Sequence, residues 1–408
     1  MFNFFHKLDK PSRRILVICY FAFFCNGMLS LMLGSFLPDL KAQYGISDTV
    51  SGLFLSAHSI GNLIAGIVSG IVPLVLGERK SIVLLYSMAF LGFLMMVVTG
   101  NPLWLFIAFA LTGFGRGSVT SFDNRTVNRI SGGSPSASNC LHASFALGAI
   151  AAPLVFLVLS RVFSWKAGPI FVAGCICISI FSLSRMKLDR EYPDRKNKAN
   201  RTFEFFRNPS FLILAAMMFC YVCCEYTVNG WLVTYIQNKE ELVSSFNASG
   251  DALENAVKTY SQTMATLLWA VMLVGRLGCA ALSAKISQKK LMFISSLGVV
   301  GFFILMLSSS SIAAVTTAIA GLGLSMAGIS PMIYSDAAVF TNRYQMATSC
   351  LLATGSAGSI IMNTLVGALS DRYGFSSGMG AITVAVILLA VMAFLNIVVK
   401  TRNPEETA

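Results

Sequence analysis

The sequence predicts an all-α membrane protein whose twelve transmembrane helices form two six-helix bundles. Hydrophobic residues make up 55% of its 408 residues and charged residues only 12%, about half the charged fraction of a typical soluble domain. Apolar runs of about 20 residues, the length at which a helix crosses a bilayer, recur along the whole chain. The longest polar break between them, rich in Lys and Arg, leaves six runs on either side.

The apolar runs set the predicted spans and domains. The spans cover approximately residues 15–37, 49–75, 80–99, 102–129, 136–162, 166–186, 209–237, 256–284, 288–309, 311–335, 345–370 and 376–399. The first run is long and unbroken, and Asp39 and Lys41 follow it in place of a small-residue cleavage site, so we expect it to be retained. We assign an N-terminal bundle to residues 1–186, a basic linker to 187–207 and a C-terminal bundle to 208–408.

The net charge of +12 is concentrated in short loops on one predicted side of the membrane. Basic residues in such loops set orientation and attract anionic headgroups, so we expect a lipid partner and no nucleic acid. Both termini are then cytoplasmic, and we expect a monomeric, multi-pass protein of a bacterial cytoplasmic membrane. The cysteines lack zinc-ligand spacing and there is no nucleotide-binding loop. We therefore expect no metal site and no cofactor other than a coupling ion, H⁺ or Na⁺.

Span 4 begins apolar and ends with several charges. Arg116, Thr120, Asp123 and Asn124 share one helical face at 100° per residue. Polar side chains in hydrocarbon tend to face a cavity and to be functional, and we assign such a role to Arg116. Asp123 has two interpretations, a cavity role or an ion pair with a cytoplasmic arginine. Arg125 lies nearer the headgroups, where snorkelling or pairing with a loop is expected.

Span 7 carries a second set of polar residues. Tyr221, Glu225 and Asn229 repeat every four residues, and Trp231 and Tyr235 form an offset pair. A carboxyl group in a membrane span can take up a proton, pair with a cation or coordinate sodium. The alternative for Glu225 is a structural hydrogen bond to a neighbouring helix.

Other spans contribute isolated polar residues. Asn26 in span 1 and Asn363 in span 11 are candidate solute ligands. His142 in span 5 is either a site member or a helix–helix hydrogen bond. Arg276, near the cytoplasmic end of span 8, is expected to be a structural partner of the loop between spans 8 and 9.

The loops resemble those of the major facilitator superfamily. Residues 70–80 (GIVPLVLGERK) and 280–290 (AALSAKISQKK) resemble that superfamily's cytoplasmic G-x-x-x-D-R-x-G-R-K loop, and residues 367–374 (GALSDRYG) carry a closer copy of its first part. Two six-span halves joined by a basic connector are also similar to this superfamily. The resemblance implies a transporter that binds its solute near the membrane midplane between the halves.

Three stretches resemble one branch, the fucose–proton symporters and sodium-dependent glucose transporters. These are residues 141–153 (LHASFALGAIAAP), 225–238 (EYTVNGWLVTYIQN) and 367–374, supported by the frame of 113–124 (GFGRGSVTSFDN). Within them Glu225, Trp231, His142 and Asn124 match by position.

Two departures from the branch concern the acids that its proton symporters carry. Gly34 occupies the position of the acid in span 1, and Thr120 occupies that of the acid in span 4. Asp123 follows almost one turn later, so the coupling residues of the family do not transfer to this chain.

The sequence therefore predicts a secondary transporter of a small polar solute, most simply a sugar, coupled to protons or sodium. The candidate solute-binding residues are Asn26, Arg116, Thr120, Asn124, His142, Asn229, Trp231, Tyr235 and Asn363, and the candidate ion-coupling residues are Glu225 and Asp123. Arg116 either stabilises a deprotonated acid or contacts an anionic solute, so a transporter of sugar acids or other organic anions is an alternative. Two further alternatives are a drug or metabolite exporter and a non-transporting sensor. No nucleophile–base pair suggests an enzyme.

Overall fold

The structure, a computed structural model, describes residues 8–186, 204–283, 285–341 and 344–399. Nearly all of these residues are helical, and no strand occurs among them. The chain divides into two compact units, Met1–Tyr192 and Pro193–Ala408. Of the predicted linker, residues 187–203 lie outside the described part, and Glu204–Arg207 forms a single 3-10 turn. The predicted cytoplasmic C-terminal tail also lies outside it.

Six helices in the first unit are long and apolar enough to cross a membrane. They are α1 (Lys10–Tyr44), α2 (Asp48–Leu76), α3 (Glu78–Val98), α4 (Pro102–Ile130), α5 (Pro135–Val162) and α6 (Ala167–Ser184). Local sequence sets their ends. At the start of α4, Leu103 N–H donates to Asn101 Oδ1 at 3.0 Å, and Pro102 takes the first helical position, where its missing N–H is not needed. Gly45, with φ of 63°, ends α1.

Ten helices occur among the described residues of the second unit. They are α7 (Pro209–Asn238), α8 (Glu240–Val243), α9 (Gly250–Leu282), α10 (Gln288–Ser308), α11 (Ile312–Met326), α12 (Ile329–Asp336), α13 (Ala338–Thr341), α14 (Gln345–Tyr373), α15 (Phe375–Gly380) and α16 (Ile382–Val398). The pairs α11–α12 and α15–α16 each form one crossing. Together with the first unit this gives twelve candidate spans, which confirms the predicted fold class.

The structure differs from the predicted spans in three main places. Predicted span 12 is interrupted at Ala381, between α15 and α16. Predicted span 10 is interrupted around Gly328, between α11 and α12. Pro331, near the start of α12, lacks an N–H to continue the helical ladder. The helix of span 8 begins at Gly250, several residues before the apolar run. Polar residues extend this helix past the apolar segment, which hydrophobicity alone does not reveal.

The two units repeat the same internal packing. In the first, α1 packs on α5 and α6, α2 packs on α4, and α3 packs on α4 and α6. In the second, α7 packs on α14 and α16, α9 packs on α11, and α10 packs on α11 and α16. Each helix of one list has its counterpart six spans later, so the similarity of the halves extends to their packing.

Glycines allow α1 and α5 to approach backbone to backbone. A Cβ atom on Gly27 would overlap the carbonyl oxygen of Phe145, and one on Gly148 would overlap that of Phe24. Small residues at such crossings are typical of membrane helices. This crossing brings the Phe145 ring close to the polar residues of α1 and α4.

Candidate functional site

Arg116 of α4 lies in a polar cluster inside the first unit, which we call the Arg116 cluster. Its Nε donates to Ser30 Oγ of α1 at 2.7 Å, and its Nη1 donates to Asn62 Oδ1 of α2 at 3.2 Å. The guanidinium carbon lies 5.8 Å from the centroid of the Phe145 ring on α5. All four side chains are half-buried. Four helices therefore bring a cation, a hydroxyl, an amide and an aromatic ring together.

Asn26 and Thr120 extend the Arg116 cluster by one helical turn. Asn26 Nδ2 donates to Thr120 Oγ1 at 2.9 Å, and the Ser30 hydroxyl donates to the Asn26 carbonyl at 2.9 Å. Asn26 is fully buried, and its Oδ1 has no hydrogen-bond partner within the described residues. Asn124 donates to the Thr120 carbonyl at 2.8 Å. The structure thus brings Asn26, Arg116 and Thr120 together, with Asn124 continuing the same face.

Asn62 was not among the sequence candidates. It lies four residues after His58 on α2, and this one-turn spacing was the available signal. His58 itself is buried, with Nδ1 at 3.0 Å from Thr112 Oγ1, and joins α2 to α4.

Asp123 lies apart from Arg116 and Thr120, the half-buried residues of α4. It is fully buried, and neither carboxyl oxygen has a hydrogen-bond partner in the part of the chain that the structure describes. Its polar neighbours are the Cys19 thiol of α1 and the Tyr86 hydroxyl of α3. Tyr86 is also fully buried without a described partner for its hydroxyl. Asp123 therefore belongs to the interior between α1, α3 and α4.

The arginines at the end of α4 contact neighbouring segments. Arg129 pairs with Glu78 at 2.9 Å, and Arg125 Nη2 donates to the Ser69 carbonyl at 3.1 Å. No ion pair between either arginine and Asp123 occurs among the described residues. These contacts join α4 to the last part of α2 and to the start of α3.

His142 of α5 is exposed and meets the Phe23 ring of α1 edge-on, with 5.6 Å between centroids. It lies about one turn before Phe145 on the same helix. His142 is therefore close in sequence to the aromatic member of the Arg116 cluster.

In the second unit, Glu225 is buried on α7. The Tyr221 hydroxyl is its neighbour on the same helix, and Tyr334 of α12 lies near it. One turn later, Asn229 Oδ1 accepts from Trp269 Nε1 of α9 at 3.0 Å. The four-residue repeat seen in the sequence thus places an acid, a phenol and an amide along one side of α7.

Arg276 of α9 stacks on an aromatic ring. Its guanidinium carbon lies 5.8 Å from the Trp269 ring centroid, and its Nη2 lies 3.9 Å from the Met272 sulfur. Its Nε is buried without a hydrogen-bond partner among the described residues. These contacts lie on α9 itself, and Tyr221 of α7 is also an electrostatic neighbour of Arg276. None of these partners lies in the described part of the loop after α9, where the sequence predicted one. The seven-residue spacing from Trp269, two helical turns, was the signal in the sequence.

Trp231, Tyr235 and Asn363 are packed inside the second unit. Trp231 is fully buried against Phe375, with ring centroids 5.3 Å apart, and its Nε1 has no partner among the described residues. The Tyr235 hydroxyl donates to the Met306 carbonyl at 3.1 Å. Asn363 of α14 is buried and donates to the carbonyl one turn earlier at 3.0 Å. All three have structural contacts in addition to any role in binding.

Lys239, just after α7, is buried and makes three hydrogen bonds. Its Nζ donates to the Tyr235 hydroxyl at 2.9 Å and to the carbonyls of Met306 and Leu307 at 3.0 and 2.8 Å. The two carbonyls lie at the carboxyl end of α10, where helix carbonyls lack helical partners. Burial lowers the pKa of Lys239, and the nearby Glu241 carboxylate partly offsets this.

A buried thiol links α1 to α6. The Cys25 thiol donates to the Cys175 carbonyl of α6 at 3.6 Å, and all ten cysteines are free. Within the described ranges, no group of three or more His, Cys, Asp or Glu side chains could hold a metal ion.

Comparison with known proteins addresses the family. Residues 19–250, more than half of the chain, match the Major Facilitator Superfamily model, and no curated protein sequence matches. The solved structure of the nucleoside transporter NupG has a TM-score of 0.73 at 14% identity, covering 96% of this chain and 100% of its own. A bacterial homolog of the human lysosomal transporter Spinster, inward-facing and unoccupied, has a TM-score of 0.75 at 13% identity, covering 95% and 97%.

The two solved structures show the fold alone at these identities. Together with twelve candidate spans, the family match indicates a multi-pass membrane transporter rather than an enzyme. The chain belongs to the Major Facilitator Superfamily.

Proposed function

We propose that the protein is a secondary active transporter that moves a small hydroxylated solute, most simply a sugar, by alternating access. The observation that carries this proposal is the Arg116 cluster, which lies among membrane-spanning helices. Polar and charged side chains there cost free energy, which is why such residues mark functional sites in membrane proteins. The Ser30 and Thr120 hydroxyls already donate to backbone carbonyls of their own helices, so each can accept from a sugar hydroxyl, and the Asn62 amide NH₂ can donate to one.

The sequence resemblance supports a sugar as the solute. Residues 141–153 and 225–238 resemble the fucose–proton symporter and sodium-dependent glucose transporter branch. His142 of the first stretch lies near Phe145, and Asn229 and Trp231 of the second are further candidate ligands. We propose that these residues, together with Asn124, Tyr235 and Asn363, contribute less to solute binding than the Arg116 cluster does. Most of them also have structural contacts.

We propose a proton as the coupling ion and Asp123 as its carrier. Asp123 is fully buried without a described hydrogen-bond partner, and its polar neighbours are a thiol and a phenol. A buried carboxylate in such surroundings costs several kcal/mol, whereas a carboxylic acid does not. Sodium requires several oxygen ligands, which the Cys19 thiol does not supply. Release of the proton then requires a second conformation in which water or a cation reaches Asp123.

Glu225 is the alternative coupling residue. It is buried beside Tyr221, and Tyr334 is also near it, so it has more oxygen atoms around it than Asp123. If sodium is the coupling ion, we therefore expect Glu225 to bind it. If a proton is the coupling ion, we expect Asp123 to carry it.

Uptake into proteoliposomes tests both parts of the proposal. A panel of radiolabelled monosaccharides is offered under an imposed proton gradient, a sodium gradient, or neither. We expect a proton gradient to drive accumulation of at least one sugar. Asp123→Asn should abolish accumulation and retain exchange of labelled for unlabelled solute, because only the proton-carrying group is lost. Asp336→Asn, at the end of α12, is the matched control and should retain both activities.

Three outcomes contradict parts of the proposal. Undiminished accumulation by Asp123→Asn removes that residue from coupling. Accumulation driven by sodium and lost in Glu225→Gln replaces the proton at Asp123 with sodium at Glu225. If no sugar enters under any gradient, sugar transport is wrong.

A further inference from the structure

Two hydrogen bonds fix how α7 and α9 lie against each other in the second unit. Gln237 Nε2 of α7 donates to Ser261 Oγ of α9 at 3.1 Å, and Trp269 Nε1 of α9 donates to Asn229 Oδ1 of α7 at 3.0 Å. The two contacts are eight residues apart on each helix, and the numbering runs in opposite directions. The helices are therefore antiparallel, and each step toward the start of α7 corresponds to one step toward the end of α9.

This register places Arg276 of α9 beside Glu225 of α7. Arg276 follows Trp269 by seven residues. On α7, Glu225 precedes Asn229 by four residues and Tyr221 precedes it by eight. The backbone of Arg276 is therefore level with the turn of α7 that joins Tyr221 to Glu225. Its side chain points back toward the start of α9, with the guanidinium carbon 5.8 Å from the Trp269 ring centroid, so the guanidinium approaches the level of Glu225.

The Tyr221 hydroxyl connects the two charged groups. Both Glu225 and Arg276 are its electrostatic neighbours, and Glu225 is also its hydrogen-bond neighbour. Neither ion pair recorded among the described residues includes Glu225 or Arg276. The phenol, and not a direct contact, therefore links the acid to the guanidinium.

Burial makes the balance of charge at this place important. Glu225 is 8% exposed and Tyr221 is 1% exposed. The Nε atom of Arg276 is buried without a hydrogen-bond partner among the described residues, and its guanidinium otherwise contacts the Trp269 ring and the Met272 sulfur. An isolated ion in a buried site is strongly destabilising, and an opposite charge nearby offsets much of that cost.

The other titratable groups around Glu225 are phenols and a thiol. On α7 these are Tyr221, Cys224 and Tyr226, and α12 contributes Tyr334. The helix α14 has titratable residues only in its first two and last turns, while α15 and α16 have none. In the described part of the second unit, Arg276 is thus the one cation at the level of Glu225.

We propose that Arg276 is the counter-charge of Glu225, so that Glu225 stays ionised and carries neither a proton nor sodium. Arg276 is a positioning residue, oriented by Trp269 and linked to the acid by Tyr221. A nearby guanidinium disfavours a proton on the carboxylate, and the same positive charge repels sodium. The pairing rests on the proposed transport function and deepens it, because it leaves Asp123 as the coupling acid.

A double-mutant cycle in the purified full-length protein tests the pairing without requiring transport. Glu225→Gln and Arg276→Gln should each lower the melting temperature in detergent by about 5 °C or more, because each leaves a buried charge without its counter-charge. The double variant buries neither charge and should recover at least about half of the summed loss. Arg276→Lys keeps the charge and should lose less than Arg276→Gln.

Lys258 provides the matched control on the same helix. It lies eighteen residues before Arg276 on α9, five turns away and on the same face. The effects of Lys258→Gln and Glu225→Gln should therefore add. If a single variant at Glu225 or Arg276 elutes as misfolded protein in size-exclusion chromatography while the double variant folds, the pairing is confirmed in the same way.

Infrared difference spectra report the charge of Glu225, which a merely structural role of Arg276 would not change. A protonated carboxyl group has a carbonyl stretch that an ionised one lacks. Near neutral pH, the spectrum of wild type minus that of Glu225→Gln should contain no such band, because Asp123 contributes equally to both. The spectrum of Arg276→Gln minus that of the double variant should contain it, because Glu225 then lacks its counter-charge.

Three results overturn the pairing: additive single variants, a protonated-carboxyl band from Glu225 in wild type, or a double variant that does not fold. The transport function fails separately. A non-additive cycle without gradient-driven uptake of any solute supports the pairing and contradicts coupled transport. Sodium-driven accumulation that is lost in both Glu225→Gln and the double variant supports transport and contradicts a Glu225 that carries no ion.

Discussion

Lys239→Met should destabilise the second unit. Lys239 Nζ donates to the Tyr235 hydroxyl and to the carbonyls of Met306 and Leu307. Methionine has a similar length and an apolar end, so the variant keeps most of the packing and removes all three donors. The two carbonyls at the carboxyl end of α10 then lose the Lys239 donor in a buried environment.

The expected magnitude follows from two opposing effects. Hydrogen bonds to a charged group contribute about 1.5–3 kcal/mol each. Burying an ammonium costs several kcal/mol, which the methionine variant recovers. The difference is a net loss of about 2–4 kcal/mol in the free energy of unfolding, or a fall of about 5–15 °C in the melting temperature of a unit of this size.

Thermal unfolding in detergent, followed by tryptophan fluorescence, measures this change. Trp231 and Trp269 report on the second unit. Lys290→Met is the control, because Lys290 is exposed at the opposite end of α10, and it should leave the melting temperature nearly unchanged. A melting temperature of Lys239→Met equal to that of wild type refutes the reasoning.

The stability difference between wild type and Lys239→Met should depend on pH, and the lowered pKa of Lys239 sets the direction of that dependence. Burial lowers the pKa of Lys239 in the folded protein, while the unfolded chain has the ordinary value of 10.5. Between the two values the unfolded state binds more protons, so stability rises with pH in this window. The stability difference between wild type and Lys239→Met should therefore widen as the pH rises toward 10.5. A difference that shrinks there contradicts the lowered pKa.

Three further predictions concern packing, surface charge and solute binding. Gly92→Ala should destabilise the folded protein by about 1–3 kcal/mol, because the added methyl meets the α4 backbone. The control Gly66→Ala, whose added methyl has nothing within 4 Å, should be neutral or stabilising. Equal melting temperatures of the two variants contradict this. A double-mutant cycle of Arg129→Gln and Glu78→Gln should give a coupling below about 1 kcal/mol that falls with salt, since both side chains are partly exposed; a larger, salt-independent value contradicts it. Trp231→Phe should lower solute affinity if its ring stacks on the solute, measured as Kd; unchanged affinity in a folded variant excludes that role.

The sequence could predict the number and order of spans because each needs a long apolar run. It could not place the interruption at Gly328, since the residues on both sides are apolar and only the local backbone differs. It also could not show that α9 begins at Gly250. A helix can continue past its apolar segment when its polar residues still form backbone hydrogen bonds.

Helical periodicity could predict part of the candidate site. Arg116, Thr120 and Asn124 are spaced by four residues, and the structure places the first two in one cluster with Asn26. On the helical wheel Asp123 lies only about 20° from Arg116, yet Asp123 is fully buried. Its burial depends on which side of α4 faces α1 and α3, and one sequence does not contain this information. Roles in binding and coupling stay predictions.

The length of α4 has a consequence for how the protein sits in lipid. Its 29 residues span about 43 Å, whereas the hydrocarbon core is about 30 Å thick. Hydrophobic mismatch is relieved by tilt or by extension into the headgroups, and Arg125 and Arg129 mark the extended end. Because these arginines contact Ser69, about two turns before the end of α2, and Glu78 at the start of α3, a change in bilayer thickness that tilts α4 also acts on both neighbours.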